Sequence, residues 1–258
     1  MTLSAVYPLI EMRGISKHFG AVRALENVDL RLQEKEILGL VGDNAAGKTT
    51  LMKILTAVHK PDRGIILVNG QPVRIGNPLE ARNLGIEMIY QDFSLVPNLS
   101  ITDNIFLGRE ETRRLLGIPF LNRDKMRQIS REALAKTDIH MNSVDALADE
   151  LSGGQQQAVA ISRAAAFNSK IIVMDEPTAS LSIKAIPPVL QLMYRLRESG
   201  KSIIFITHRI QDIFSTCDRI MVLRRGACVG VARKEDTSIQ EVTELITGAK
   251  ETFSAPSE

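Results

Sequence analysis

Between the apolar run Ile37-Leu38-Gly39-Leu40-Val41 and the helix-like stretch TLMKILTAV lies Gly42-Asp43-Asn44-Ala45-Ala46-Gly47-Lys48-Thr49, which fits G-x-x-x-x-G-K-[S/T]. A strand, a glycine-bearing loop and a helix, in that order, make a cradle for phosphate. Glycine lets the backbone turn its N–H groups inward, and the helix N-terminus adds a favourable dipole. Lys48 is then placed to reach β and γ oxygens, and the Thr49 hydroxyl to ligate magnesium.

Strand-like segments rich in Ile, Leu and Val (LIEMRG, VDLRL, EILGLVG, GIILVNG, GIEMIY) fill the first third of the chain. From about residue 92 to 169 the apolar spacing turns helical, as in RDKMRQISREALAKTDI and QQQAVAISRAAAF, which predicts a helical subdomain. Two short apolar runs follow, IIVM and SIIFIT, separated by a helical segment around VLQLMYRLRES that closes at Gly200. Apolar strands alternating with helices indicate an α/β fold with a parallel sheet covered on both faces. A strand pair in RIMVLRRGACVGV and a helix near IQEVTELITGA complete the fold, and the polar KETFSAPSE reads as a frayed tail.

At 258 residues the chain is long enough to bury a sizeable core without disulfides, and a formal net charge of +2 argues against nucleic acid as a partner. No run of 18 apolar residues occurs, and MTLSAVYPLIEMRG has neither a charged n-region nor a long h-region. The expectation is a protein that stays in the cytoplasm and does not span a membrane. Cys217 and Cys228 match no zinc or redox spacing and read as packed, reduced side chains.

Ile171-Ile172-Val173-Met174-Asp175-Glu176 is a strand that ends in two acids, at the edge of a parallel sheet where ligands bind in open α/β folds. Asp175 suits a magnesium shell, and Glu176 suits an attacking water, as general base or orienting group. Leu151-Ser152-Gly153-Gly154-Gln155 supplies a second anion-binding helix start. One chain already has its phosphate loop, so this second cradle suggests a partner's nucleotide.

On these residues the chain resembles the ABC ATPase family from about Leu9 to Gly248. The resemblance implies a P-loop NTPase (RecA-like) core with an antiparallel β subdomain and an inserted helical subdomain. It implies one domain over residues 1–248, with 1–91 and 165–248 as β and RecA-like core, 92–164 as the helical subdomain, and 249–258 as tail. In the family two such domains pair head to tail, each ATP lying between the phosphate loop of one and the LSGGQ signature loop of the other. ATP is then held by Phe19 stacked on adenine, by Gly42, Asp43, Asn44, Ala45, Ala46, Gly47, Lys48, Thr49 and Thr50, and across the dimer by Ser152, Gly153, Gly154 and Gln155. Gln91 matches the glutamine that contacts Mg²⁺ and water, alongside Thr49 and Asp175 at the metal, and His208 matches the histidine that contacts the γ-phosphate and braces Glu176. His18, His59 and His140 have no such match.

The chain departs from the family at Ala45, usually a glycine, and at Ser182, usually an aspartate, and Pro187-Pro188 suggests a delayed helix start. Within the family it is most similar to ATPases of bacterial monosaccharide importers, single-domain fructose-type members above all, on GDNAAGKTTLMKIL, MIYQDFSLVPNLSITDNIFLGRE and THRIQDIFSTCDRIMVLRRG. That implies membrane permease subunits, a periplasmic sugar-binding protein, a second copy or a paralogous ATPase as partners, and a place on the cytoplasmic face of the bacterial inner membrane. Residues 92–110 are expected to receive a permease helix, and their apolar Phe93, Leu95, Val96 and Leu99 read equally as interface or as core. The alternatives are a soluble ABC ATPase without a permease and a weakly hydrolysing regulator. A P-loop kinase has no use for LSGGQ.

Overall fold

The computed structural model describes residues 7–90, 94–115, 118–135, 137 and 141–254. The chain begins with β1 (Ile10–Phe19), β2 (Val22–Leu32) and β3 (Ile37–Val41), then α1 (Lys48–Leu55), β4 (Arg63–Val68), β5 (Gln71–Val73), α2 (Pro78–Asn83) and β6 (Ile86–Ile89). It continues with α3 (Ile101–Phe106), β7 (Thr112–Leu115), β8 (Ile118–Leu121), α4 (Arg123–Ala135) and α5 (Gly153–Ala166). Last come β9 (Ile171–Asp175), α6 (Ile186–Glu198), β10 (Ser202–Ile206), α7 (Ile210–Thr216), β11 (Arg219–Arg224), β12 (Ala227–Arg233) and α8 (Ile239–Thr247).

Six strands form the central sheet in the order β12-β11-β3-β10-β9-β6, parallel except for the β11–β12 hairpin. Its central strands β3, β9 and β10 are wholly buried, and their period of two divides them between two cores. Leu38 and Leu40 of β3, Val173 of β9 and Ile204 and Ile206 of β10 face α1 and the antiparallel sheet β2-β1-β4-β5. Ile37, Val41, Ile172, Met174, Ile203 and Phe205 face α5, α6, α7 and α8. A third cluster joins α3 and α4 to Val159 of α5. Helix α5 therefore packs against the sheet on one side and the helical cluster on the other.

The phosphate loop, the acids at the end of β9 and the segment after β10 all lie at the same, C-terminal edge of neighbouring parallel strands. Cys217 is fully buried against Gly39, where an added Cβ would lie 2.9 Å from its sulfur, and burial pushes its thiol well up. That is the inert packing expected of it. No helix among the described residues is long and apolar enough to cross a membrane.

Two features differ from expectation. The helical stretch contains the β7–β8 ribbon, where Pro119 lacks the N–H a helix interior needs. The C-terminal segment is docked through residue 254: Lys250 and the Ser254 N–H both reach Glu241, and the Phe253 ring sits where a Cβ on Gly230 would be only 2.5 Å away. Residues 255–258 lie outside the described residues. The proline pair occupies the first turn of α6, where the missing N–H groups have no intrahelical partner to lose, and the α-helix starts only after a short 3₁₀ turn at Ile183–Ala185, in keeping with the delayed start expected.

Candidate nucleotide site

Gly42 and Gly47 bracket the loop, and neither tolerates a side chain. A Cβ on Gly42 would lie 2.2 Å from the Leu223 carbonyl, and one on Gly47, at φ +103°, 2.7 Å from that of Ala24. Ala45 between them holds φ +63°, the left-handed region in which the family's usual glycine is free of strain. The Lys48 ammonium folds over the loop and donates to the carbonyls of Gly42 at 2.7 Å and Asp43 at 2.9 Å. Burial pushes its pKa down, against the pull of Glu176, Asp175 and Asp43.

The hydroxyl of Thr49, in the first turn of α1, donates to Asp175 Oδ2 at 3.1 Å. Burial raises the Asp175 carboxyl, opposed by that hydrogen bond and reinforced by the neighbouring Glu176. A half-buried ammonium and a buried carboxylate pushed toward their neutral forms are both relieved by ligands of opposite charge, phosphate for one and a cation for the other.

Glu176 also takes a left-handed conformation, φ +52°, and its N–H donates to the Ile206 carbonyl at 2.9 Å. This turns its side chain toward the segment after β10, where Oε2 lies 2.9 Å from His208 Nδ1. Phe19, at the end of β1, is 43% exposed, and His59 packs on it edge to face at 5.2 Å. His59 thus has a place beside the site that its lack of a motif match did not suggest, whereas His18 pairs with Asp62 and Glu26. A cleft of about 400 Å³ runs from Phe19 past residues 44–50 to Asp175 and Glu176. Arg23 and Ala24 also line it; sequence reasoning missed them, and only their closeness to Phe19 in the chain points to them. Gln91, Phe93 and His140 lie outside the described residues.

The signature segment is built differently. Ser152 caps α5 reciprocally with Gln155: the Gln155 N–H donates to Ser152 Oγ at 3.4 Å, and the Ser152 N–H donates to Gln155 Oε1 at 3.0 Å. A Cβ on Gly153 would meet nothing nearer than Leu181 at 3.7 Å, and one on Gly154 nothing nearer than Ala185 at 3.4 Å. Neither glycine is required by the fold of its own chain. The bare backbone suits a close approach from outside.

The sequence model of the ABC transporter family matches residues 25–179. The chain belongs to this family. It is 44% identical over 239 residues to the xylose/arabinose import ATP-binding protein of Sulfolobus acidocaldarius, covering 93% of this chain and 94% of that protein. It is 40% identical over 248 residues to the fructose import ATP-binding protein of Rhizobium meliloti, covering 95% of each. Against the ribose import ATP-binding protein of Caldanaerobacter subterraneus it is 42% identical over 241 residues, and there it spans about half of the relative, 93% of this chain against 48% of that one. Among solved structures, an ATP-binding cassette of an ABC transporter in its ADP conformation shares the fold at a TM-score of 0.77 and 22% identity, over 95% of this chain and 96% of that one. A dimeric bacterial ABC transporter cassette matches at a TM-score of 0.74 and 25% identity, over 87% of this chain and 98% of that one.

The protein is thus an ATPase of the ABC type. Within this ABC ATPase, Phe19, the phosphate loop, Asp175 and Glu176 share one cleft, and His208 joins them through Glu176. Ser152, Gly153, Gly154 and Gln155 do not line that cleft. The signature segment therefore lies apart from the cleft that holds the phosphate loop.

Proposed function

We propose that the chain energises import of a monosaccharide by binding and hydrolysing ATP as a head-to-tail dimer on a membrane permease, at the cytoplasmic face of the bacterial inner membrane. The observation that carries the dimer is the signature segment: two glycines with room for side chains, on a capped helix start remote from the chain's own cleft. Sugar as cargo is supported by relatives whose names specify xylose/arabinose, ribose and fructose import, with fructose the favoured guess. A periplasmic sugar-binding protein would deliver the cargo. Segment 92–110 would receive the permease helix; its Leu95 is half-buried against the helical core.

In this reading Phe19 stacks on adenine and Lys48 leaves its loop carbonyls for the β and γ oxygens. The hard oxygens of Thr49 and Asp175, already 3.1 Å apart, fit magnesium, which when bound neutralises phosphate charge. Glu176 orients or deprotonates the attacking water, and His208 holds Glu176 in place. Gln91 is assigned to the metal and water by family likeness.

The test is ATP hydrolysis by wild type and Glu176→Gln, with mass measured in solution with and without ATP and magnesium. The expected result is slow wild-type turnover, and a Glu176→Gln protein that is hydrolytically dead and dimerises only with ATP. Equal turnover of the two proteins would overturn the reading. Membrane copurification with a permease, and sugar uptake by cells carrying wild type but not Glu176→Gln, test the transport half.

A further inference from the structure

The His208 side chain is 64% exposed, so packing around the imidazole does little to hold it against Glu176. A polar bridge lies beneath. Asp212 of α7, four residues past His208, is buried, and its Oδ2 accepts from Thr178 Oγ1 at 2.9 Å and from Arg209 Nε at 3.1 Å. Thr178 is 1% exposed and stands two residues past Glu176, while Arg209 directly follows His208 and its own N–H donates to Thr207 Oγ1. One carboxylate oxygen therefore joins the loop that bears the acid to the segment that bears the histidine. A buried carboxylate is costly unless it is well hydrogen-bonded, and an apolar side chain would serve the packing of α7 as well.

We propose that Asp212, through Thr178 and Arg209, is the positioning residue that sets His208 against Glu176 for hydrolysis. This rests on the roles given above to Glu176 and His208 and adds a requirement beyond any role assigned to the sequence motifs. Two loops from adjacent strands must hold a 2.9 Å contact between side chains, and a misplacement on the order of 1 Å at a reacting centre costs about a hundredfold in rate. The buried bridge fixes the relative height of the two loops where the exposed imidazole cannot.

The experiment compares Thr178→Val, which keeps shape and removes the donor, with Thr178→Ser, which keeps the donor. Each is made in wild type and in His208→Ala, and residual hydrolysis is followed in single-turnover assays alongside steady-state kcat and KM. Expected are a fall in kcat of about tenfold or more for Thr178→Val with KM for ATP within about twofold, near wild-type kcat for Thr178→Ser, and no further loss from Thr178→Val once His208 is gone. An equal loss in both backgrounds, or no loss in wild type, overturns the bridge. A His208→Ala protein as fast as wild type overturns the premise instead. Should Thr178→Val not fold, Arg209→Met removes the more exposed donor and is expected to reproduce the His208-dependent loss at smaller size; a loss independent of His208 again overturns the proposal.

Discussion

The Thr49 hydroxyl donates to Asp175 across 126 residues of sequence, tying the first turn of the helix after the phosphate loop to the end of β9. Removing it with Thr49→Val leaves a buried carboxylate without the hydrogen bond that opposes its upward shift. Hydrolysis is expected to fall about a hundredfold or more, and chelation of magnesium to abolish it in wild type. The Asp175 pKa is raised, so a proton would compete with the magnesium proposed there sooner than at an ordinary aspartate. Magnesium titrations of activity at mildly acidic and mildly alkaline pH are expected to give the weaker apparent affinity on the acid side.

Ala45 carries a methyl group at φ +63°. Ala45→Gly is expected to raise stability by about 1 kcal/mol, through relief of the left-handed strain, with ATP affinity little changed. Urea unfolding and nucleotide titration check the two halves of that statement; a loss of stability would mean that the loop is not strained there.

Gln157 of α5 is fully buried, and among the described residues neither its amide nitrogen nor its amide oxygen has a hydrogen-bond partner. It continues the stripe of Ala160, Ile161 and Ala164 that faces the sheet. Replacement by methionine, similar in length and without polar groups to desolvate, is expected to stabilise the subunit by about 1–2 kcal/mol in thermal or urea unfolding. A destabilised Gln157→Met protein would contradict this.

Glu241 accepts from Lys250, the Ser254 N–H and Thr237, and the Lys250 hydrogen bond leads in lowering its carboxyl from 4.5 to about 2. A carboxylate whose folded pKa is depressed contributes stability above its unfolded value, and that contribution is lost as pH falls through the folded one. The docking of residues 250–254 should therefore weaken between about pH 4.5 and pH 2. Glu241→Gln should release the segment at neutral pH, seen as faster amide exchange at Phe253 and Ser254 and a loss of about 1–2 kcal/mol.

Much of this architecture is legible in the chain because its signals are local. Wholly apolar runs mark β3, β9 and β10, and the two loops that bind phosphate in the family declare themselves by glycine spacing beside a helix start. What escapes reading depends on contacts between distant segments. His59 meets Phe19 across 40 residues, Thr178 meets Asp212 across 34, and Phe253 finds the bare backbone of Gly230 from within a stretch of polar composition. The β7–β8 ribbon is hidden for another reason, since four-residue strands flanked by helices carry too few positions for a period of two to stand out.

The reciprocal cap between Ser152 and Gln155 is complete in a single subunit. The entropy of ordering that turn is lost when the polypeptide folds, so two subunits that meet in the proposed dimer have no loop left to organise there. In that dimer association would be governed by the charge and shape of the nucleotide between the subunits, and a dimer that had spent its ATP would keep a rigid socket ready for the next one.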